Sequence, residues 1–229
     1  VLSPGIDPAS PLAERFYRRG VPVTGELEVA FQRCCCPVVA ITGTNGKTTT
    51  TQLVEAVLNG SGVTTIACGN IGPAFSSKVE QSRSLQAMTV EVSSFQLETI
   101  QTFHPKVAVW LNFAPDHLDR YPSLSAYRAA KLRIFENITK EDWVVVNSRD
   151  QVPFGPAQRL SFSAYCDSGD FAMRGDTVYF RGEEILEMSR THLRGAHNAE
   201  NVMAALGVGR ALGLELSLIH ISEPTRRYA

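Results

Sequence analysis

The chain has 229 residues, 44% of them hydrophobic, and its 22 Lys and Arg residues are balanced by 23 Asp and Glu residues. This apolar content is enough for a real core in one large or two small domains. The formal net charge of -1, with no long basic or apolar run, argues against nucleic-acid binding and against a membrane span. We therefore expect a globular, cytoplasmic and monomeric protein that acts on a small molecule.

The first 37 residues predict little structure of their own. A helix is expected from about Pro11 to Arg19, followed by a short apolar element around Val21 and Val23, which is too little to bury a core. The run Cys34-Cys35-Cys36 cannot easily converge on one zinc ion, and the sequence has no Cys-x-x-Cys pair. We expect its thiols to be reduced and structural.

Residues 38–50 predict a buried strand, then a glycine loop, then a helix. In such a loop Gly43 and Gly46 let backbone N–H groups turn toward an anion. Lys47 adds a full positive charge, and Thr48 offers a hydroxyl to magnesium. The pattern predicts a phosphate site and the use of a nucleoside triphosphate, although the loop is shorter than the common P-loop. The alternative is a glycine turn capped by threonines.

From residue 38 onward, apolar strand patterns alternate with helical ones, which predicts an α/β fold with a mostly parallel sheet and helices on both faces. Turn residues across 159–189 predict a small antiparallel extension, and a last helix is expected from about Ala196 to Leu212. The predicted strands lie near 38–42, 64–68, 86–92, 107–112 and 143–147. The predicted helices lie near 47–59, 95–101 and 123–137.

Two polar residues near strand ends are candidate site residues, because ligands of an open parallel sheet bind beyond the carboxyl ends of its strands. Glu91 lies at the end of an apolar strand, where a magnesium ion would remove the cost of an unpaired carboxylate. Its alternatives are a partner arginine or a solvent-facing edge strand. His117 is either a metal ligand or an ordinary loop residue, since magnesium prefers oxygen to imidazole.

Lys131 shares the apolar stripe of its predicted helix with Leu124, Tyr127, Ile134 and Phe135. It either extends along that stripe to reach water or is buried. A buried lysine loses its proton readily, and the neutral amine can serve as a nucleophile, a base or a carbamate.

Asn198 and Asn201 open the last predicted helix with both amides on one face. One of them alone would be read as a helix cap. Together, after Gly195 and His197, they favour recognition of a planar base by amide hydrogen bonds.

Six phrases of the sequence together resemble the Mur ligases of bacterial cell-wall synthesis, and the resemblance covers residues 1 to about 213. The motifs at 93–98 and 116–121 are similar to those of the members that add D-glutamate rather than alanine, a diamino acid or a dipeptide. The phrases are Gly-Thr-Asn-Gly-Lys-Thr-Thr at 43–49, Gly-Asn-Ile-Gly at 69–72, Glu-Val-Ser-Ser-Phe-Gln-Leu-Glu at 91–98, Asp-His-Leu-Asp-Arg-Tyr at 116–121, Tyr-Arg-Ala-Ala-Lys-Leu-Arg-Ile at 127–134 and Gly-Ala-His-Asn-Ala-Glu-Asn at 195–201.

The resemblance implies a ligase that uses ATP and two magnesium ions to join D-glutamate to UDP-N-acetylmuramoyl-L-alanine. The terminal carboxylate of the UDP-sugar would take the γ-phosphoryl group to give an acyl phosphate, which the amine of D-glutamate attacks. The alternatives are another Mur-type ligase, a P-loop kinase or simple NTPase, and a module that binds nucleotide without turnover.

The resemblance also implies a role for each matching residue. Thr48 and Glu91 would hold the first magnesium ion, and His117 would hold a second. Lys131 would be carbamylated and become an anionic metal ligand, while Lys47 neutralises charge on the phosphates. The implied contacts of the ATP phosphates are Gly43, Thr44, Asn45, Gly46, Lys47, Thr48 and Thr49, those of the adenine are Asn198 and Asn201, and those of the UDP-sugar are Ser3, Gly5, Asn70 and Ser93.

The resemblance divides the chain into three parts. Residues 1–37 match the last part of a UDP-binding domain, and residues 38–213 match the central ATP-binding domain. Residues 214–229 do not match and are interpreted as an artefactual, disordered tail. The family's C-terminal domain, which binds D-glutamate, is not represented, so we expect the fragment alone to be inactive.

Overall fold

The structure is a computed structural model that describes residues 1–215. Within these residues nine strands form one sheet, in the spatial order 2-3-1-4-5-6-7-8-9. The strands β1 to β9 are Val38–Thr42, Thr65–Gly69, Ala87–Glu91, Val107–Trp110, Trp143–Asn147, Gln158–Ser163, Phe171–Arg174, Thr177–Phe180 and Glu183–Glu187. The helices α1 to α7 are Pro11–Tyr17, Glu26–Phe31, Lys47–Gly60, Phe75–Lys78, Ser94–Leu97, Leu124–Leu132 and Ala196–Ala211. None of the helices within residues 1–215 has the length and apolar content needed to span a bilayer.

The sheet confirms the predicted α/β class. Strands β1 to β7 pair in parallel, and β8 pairs in antiparallel fashion with both β7 and β9. The predicted antiparallel extension over 159–189 therefore begins too early, because β6 continues the parallel sheet beside β5. The turn residues mark only the reversals at 175–176 and 181–182, which flank β8.

The two faces of the central strands lie in separate cores. In β1, Val39 and Ile41 pack with α3 and α7, whereas Val38 and Ala40 pack on the opposite face with Leu27 of α2. All five residues of β1 are buried. Burial on both faces explains why this strand reads as a continuous apolar run rather than as an alternating one.

Two helices differ from their predicted extents, and two others were not predicted. The helix expected near 95–101 is the single turn α5, and the one expected near 123–137 is α6 followed by a 3-10 turn over Arg133–Phe135. Helices α2 and α4 were not predicted at all. The buried Glu28 of α2 accepts backbone N–H groups from Gln101, Thr102 and Phe103, more than seventy positions away. Sequence periodicity does not report such distant partners.

The division of the chain into parts at 37 and 213 stays a prediction. Leu27 and Ala30 of α2 belong to the same apolar core as Val38 and Ala40 of β1, so α2 packs with the central sheet. From residue 216 on, the tail predicted at 214–229 lies outside the described residues.

Gly207 allows α7 to lie directly on the sheet. A Cβ atom there would sit 2.8 Å from Cγ1 of Val145 in β5. We expect Gly207→Ala to lower the free energy of unfolding by roughly 1–3 kcal/mol, because overpacking outweighs the higher helix propensity of alanine. Urea denaturation of the chain measures this, with Gly5→Ala as control, since nothing lies within 4 Å of a Cβ at Gly5. Unchanged or increased stability of Gly207→Ala would contradict the packing argument.

Candidate nucleotide and metal site

The glycine loop lies between the carboxyl end of β1 and the first turn of α3. Gly46 has a φ of 82° and immediately precedes the helix, so the free N–H groups and the partial positive charge of the helix N-terminus face the loop. A side chain at Gly46 would also collide with Oδ1 of Asn201, which lies 2.4 Å from the position of its Cβ. Both the backbone conformation and the close approach therefore require glycine here.

Asn112 holds the glycine loop in place by hydrogen bonds, a role that the sequence pattern did not predict. Its Oδ1 accepts the backbone N–H of Asn45 at 2.9 Å, and its Nδ2 donates to the carbonyl of Asn45 at 3.0 Å. The Thr44 N–H donates to the Asn112 carbonyl at 3.0 Å. Asn112 lies just beyond the carboxyl end of β4. The same kind of position, at the end of a strand, made Glu91 a candidate site residue from the sequence.

Two lysines meet at one carbonyl of this loop. Nζ of Lys131 donates to the Gly43 oxygen at 2.7 Å, and Nζ of Lys47 donates to the same oxygen at 3.1 Å and to the Thr44 oxygen at 2.9 Å. Lys131 is only 2% exposed, so it is buried and does not extend to water. Burial and then the charge of Lys47 lower the pKa of Lys131 to about 7, and burial also lowers the pKa of Lys47.

Glu91, at the end of β3, forms hydrogen bonds to Thr48 of α3 and to Asn70, which follows β2. It is 2% exposed, its Oε2 accepts the Thr48 hydroxyl at 2.9 Å, and its Oε1 accepts Nδ2 of Asn70 at 3.0 Å. The carboxylate therefore neither pairs with an arginine nor faces solvent. The structure brings together a predicted metal ligand, a predicted phosphate residue and a predicted substrate residue.

The oxygen atoms of Glu91 and Thr48 are suitable ligands for a magnesium ion. Carboxylate and hydroxyl oxygens are its preferred ligands, and it commonly takes only one or two from the protein while phosphates and water supply the rest. Residues 1–215 contain no group of three or more His, Cys, Asp or Glu side chains placed to hold a metal by themselves.

His117 lies at the rim of the site on the loop after β4. Its φ of 52° is unusual for a residue with a side chain, and its imidazole is 43% exposed. The ring is 5.6 Å from that of Tyr127, whose own ring lies 4.9 Å from Nζ of Lys131. The Tyr127 hydroxyl is 3.4 Å from Oγ1 of Thr44. Tyr127, which the sequence analysis treated only as part of an apolar stripe, therefore connects the His117 loop to the glycine loop.

Arg120 holds the His117 loop to two other segments. Its Nη1 lies 2.9 Å from Oδ2 of Asp7, and its Nη2 donates to Oε2 of Glu98 at 2.9 Å. The guanidinium also lies 5.4 Å from the ring of Phe95, which contacts the His117 ring at 5.0 Å. This arrangement stabilises the strained turn that carries His117.

We expect Arg120→Met to speed amide hydrogen exchange across residues 117–121 by at least about tenfold and to lower overall stability by about 1–2 kcal/mol. The reason is that the loop loses both ion pairs at once. Arg174→Met is the matched control, because Arg174 also pairs with a carboxylate, Asp167, and lies over an aromatic ring. Unchanged exchange at 117–121 in Arg120→Met would show that the ion pairs do not hold the turn.

Of the two asparagines of α7, Asn201 lies against the glycine loop. Oδ1 of the buried Asn201 accepts the Thr50 hydroxyl at 3.2 Å, and its Nδ2 donates to Oδ1 of Asn198 at 3.4 Å. Asn198 donates to the carbonyl of Arg194 at 2.9 Å. Neither is the helix cap, which is Gly195. Asn201 therefore fixes α7 against α3, and the partly buried Asn198 lies one turn closer to the helix start.

The remaining predicted substrate residues are placed differently. Ser93 caps α5, where its Oγ accepts the Gln96 N–H at 3.3 Å, and it lies two residues beyond Glu91. Ser3 and Gly5 are exposed in the N-terminal turn, which the Asp7–Arg120 ion pair connects to the His117 loop. Asn70 thus contacts Glu91 directly and Ser93 follows Glu91 closely in the chain, whereas the substrate contacts of Ser3 and Gly5 stay predictions.

A cavity of about 850 Å³ contains none of the predicted site residues. It is formed by the connection between β5 and β6, by residues of β6 and by the turns next to β7 and β8, and its lining includes Asp150, Phe154, Arg159, Asp170 and Arg181. Converging polar groups, rather than cavity size, therefore distinguish the candidate site.

The profile of the Mur ligase middle domain matches residues 41–209. The chain belongs to the Mur ligase family. Its glycine loop, Glu91, His117, Lys131 and the two asparagines of α7 all lie within the matched segment of this Mur ligase chain.

Individual relatives are consistent with this assignment. The UDP-N-acetylmuramoylalanine--D-glutamate ligase of Trichlorobacter lovleyi is 42% identical, in an alignment that covers 94% of this chain and 50% of that protein. The ligase of the same name from Koribacter versatilis is also 42% identical, and that alignment covers 92% of this chain and 49% of that protein. The chain thus spans about half the length of the curated relatives it matches.

A solved Mur ligase supports the fold. The UDP-N-acetylmuramate-alanine ligase of Thermotoga maritima superposes with a TM-score of 0.63 at 24% identity, covering 94% of this chain and 51% of that one. At this identity the likeness shows the shared fold alone.

Proposed function

We propose that this Mur ligase chain is the ATP-binding part of an enzyme that joins D-glutamate to UDP-N-acetylmuramoyl-L-alanine. The observation that supports the proposal most is the junction of Glu91 with Thr48 and Asn70, next to the loop on which Lys47 and Lys131 converge. Groups that we predict to bind phosphate, metal and substrate meet there. The similarity to ligases named for D-glutamate addition supports the choice of substrate.

The reaction has two steps. A carboxylate oxygen of the UDP-sugar forms a bond to the γ-phosphorus of ATP while the bond to ADP breaks. The amine of D-glutamate then attacks the acyl carbon, the C–N bond forms, and phosphate leaves with the electron pair of the C–O bond as the amine loses a proton. Magnesium supplies charge neutralisation on the phosphate oxygens when bound.

The chain's own groups would stabilise this transfer electrostatically. Lys47 and the N–H groups at the start of α3 would hold the phosphates, and the Lys47 ammonium would offset negative charge that develops during transfer. Glu91 and Thr48 would orient the first magnesium ion, and His117 would reach the second.

Lys131 is suited to become a carbamate. With a pKa of about 7, the amine is substantially neutral at physiological pH and able to attack carbon dioxide, forming an N–C bond and releasing one proton. The product is an anion, which the nearby Lys47 charge favours. Such an anion would serve as a metal ligand, whereas an ammonium ion would not.

The remaining contacts belong to the same proposal. Asn70, Ser93, Ser3 and Gly5 would contact the UDP-sugar, and Asn198 and Asn201 would lie beside the adenine. We expect the protein to be cytoplasmic, because ATP and nucleotide sugars are cytoplasmic metabolites. We also expect a monomer, which analytical ultracentrifugation tests.

Substrate dependence tests the proposal. A complete ligase carrying this chain is mixed with ATP, UDP-N-acetylmuramoyl-L-alanine and either enantiomer of glutamate. We expect phosphate release only when the UDP-sugar and D-glutamate are both present. Release from ATP alone would indicate a simple NTPase, and dependence on a different amino acid would indicate another Mur-type ligase.

A second candidate is a module that binds nucleotide without turnover. It is favoured for the 229-residue chain by itself, because the chain spans only about half the length of the relatives it matches. The expected result for this chain alone is ADP binding without phosphate release.

A further inference from the structure

The 850 Å³ cavity lies on the face of the sheet opposite α7. Val146 and Val152 of its lining belong to the core on that face, and Phe154 packs against the same core. Apolar residues of α3 and α7 belong to the other core. The sheet therefore separates this cavity from α7 and its two asparagines.

Arg159 and Phe154 bring positive charge and apolar surface into the same part of the cavity. In β6, Leu160 and Phe162 belong to the core that contains α7, so Arg159 and Ser161, which alternate with them, face the cavity. The guanidinium carbon of Arg159 lies over the Phe154 ring, 5.9 Å from its centroid. A bound molecule would therefore meet a cation and apolar side chains together.

Asp170, one of the two carboxylates that line the cavity, already has its partners. Its Oδ2 accepts the N–H and the hydroxyl of Ser161 at 2.9 and 3.1 Å. Its Oδ1 accepts Nε of Arg181 and pairs with Nη2 of the same residue, both at 2.9 Å. Asp170 therefore neutralises Arg181, and the pair adds no net charge to the cavity.

The other charged groups leave an excess of positive charge. Oδ2 of Asp150 accepts Nε1 of Trp110 at 2.8 Å. Arg128 donates to the carbonyl of Gln151, which lines the cavity. Neither Arg128 nor Arg159 pairs with a carboxylate of residues 1–215, and Asp150 pairs with none of their cations. Two unpaired guanidinium groups therefore outweigh one carboxylate.

Asn147 adds a buried hydrogen-bond donor without a partner. The residue lines the cavity and is 1% exposed. Its Oδ1 accepts the Arg149 N–H at 3.1 Å, which fixes the orientation of the amide. Its Nδ2 has no hydrogen-bond partner within residues 1–215. Because an unpaired buried donor is costly, an acceptor oxygen bound in the cavity would stabilise this part of the protein.

We propose that this cavity binds an organic anion at a site separate from the nucleotide and metal site. The carboxylate or phosphate group of the ligand would bind Arg159 and accept the Asn147 amide, and its apolar part would lie along Val152 and Phe154. Guanidinium groups bind both kinds of oxyanion through paired N–H donors, so the shared chemistry is an oxyanion attached to an apolar group. The proposal does not depend on the proposed ligase function, because no residue of the glycine loop takes part.

A site-specific NMR titration tests the proposal with benzoate and phenyl phosphate as probes and benzamide as their uncharged counterpart. The 229-residue chain is titrated with ADP and magnesium present in excess, so that the probes do not occupy the phosphate loop. We expect saturable shifts of the Asn147 side-chain amide and of Arg159 Nε–H with at least one anion, and at least about tenfold weaker binding of benzamide. A preference between the two anions identifies the ligand as a carboxylate or as a phosphate ester.

Arg159→Ala should weaken anion binding about tenfold, the scale of one charge-assisted hydrogen bond, and leave ADP affinity unchanged. Arg210→Ala is the matched control. Arg210 is also exposed, its guanidinium carbon lies 5.8 Å from the centroid of Phe180, and it pairs with no carboxylate of residues 1–215. Anion binding should be unchanged in this control.

Three results would overturn the proposal. They are the absence of saturable shifts at Asn147 and Arg159 with both anions, equal affinity for benzamide, and an anion affinity that Arg159→Ala lowers no more than Arg210→Ala does. If the original chain does not bind ADP, the proposed nucleotide site fails, while the shifts at Asn147 and Arg159 still decide whether the cavity binds an anion.

Discussion

Lys47→Ala should lower phosphate release by a complete ligase carrying this chain by at least about a hundredfold, because a donor aimed at developing phosphate charge is removed from the site. The side chain has no other structural role in the described residues than its bonds to the carbonyls of Gly43 and Thr44. The free energy of unfolding should therefore change little. Steady-state kinetics and thermal unfolding of the same preparation measure the two effects.

The matched control for this variant is Lys140→Ala. Lys140 is a lysine with an 80% exposed side chain, and its nearest carboxylate partner is the neighbouring Glu141. It should leave turnover unchanged. Near-normal turnover in Lys47→Ala, with an intact fold, would remove the phosphate role assigned to the glycine loop.

Lys131→Ala should also lower turnover by about a hundredfold or more, and added short-chain carboxylic acids should restore part of it. The cavity left by the lysine can admit a small carboxylate, which replaces the anion of the proposed carbamate. Rescue distinguishes a lost anionic ligand from a general loss of packing. Lys47→Ala is the control, since the same acids should not rescue a missing cation.

A readout independent of activity accompanies the rescue. The chain equilibrated with ¹³C-labelled bicarbonate should show a carbamate carbon resonance that is absent from Lys131→Ala. Full activity of Lys131→Ala without any added acid would refute the role of this residue. An identical carbon spectrum for both proteins would refute the carbamate.

Much of the fold could be predicted because its central strands are buried on both faces. The apolar runs around β1, β3 and β4 mark strands whose neighbours are also strands, and the helical patterns between them require crossover connections. The boundary of the antiparallel part could not be read in this way. Whether β6 joins β5 in parallel depends on the path of residues 148–157, which contain no helical pattern to signal a crossover.

The sequence indicated those candidate residues whose chemistry is unusual for their position. It did not indicate residues that are common types in common positions. A carboxylate in an apolar strand and a lysine on an apolar stripe are unusual, so Glu91 and Lys131 were identified from the sequence. Asn112 and Tyr127 are common residue types in common positions, and only their contacts to the glycine loop and to Lys131 reveal their part. Arg120 likewise depends on Asp7 and Glu98, which are distant in the sequence.

Diffraction from the chain crystallised with ADP and Mn²⁺ would test the proposed site by direct observation, because the anomalous scattering of manganese locates the metal. We expect the phosphates against residues 43–49 and a manganese peak within coordination distance of both Thr48 Oγ1 and Glu91. Nucleotide bound instead in the 850 Å³ cavity near Arg159 and Arg181, or a manganese peak remote from Glu91, would contradict the proposed site.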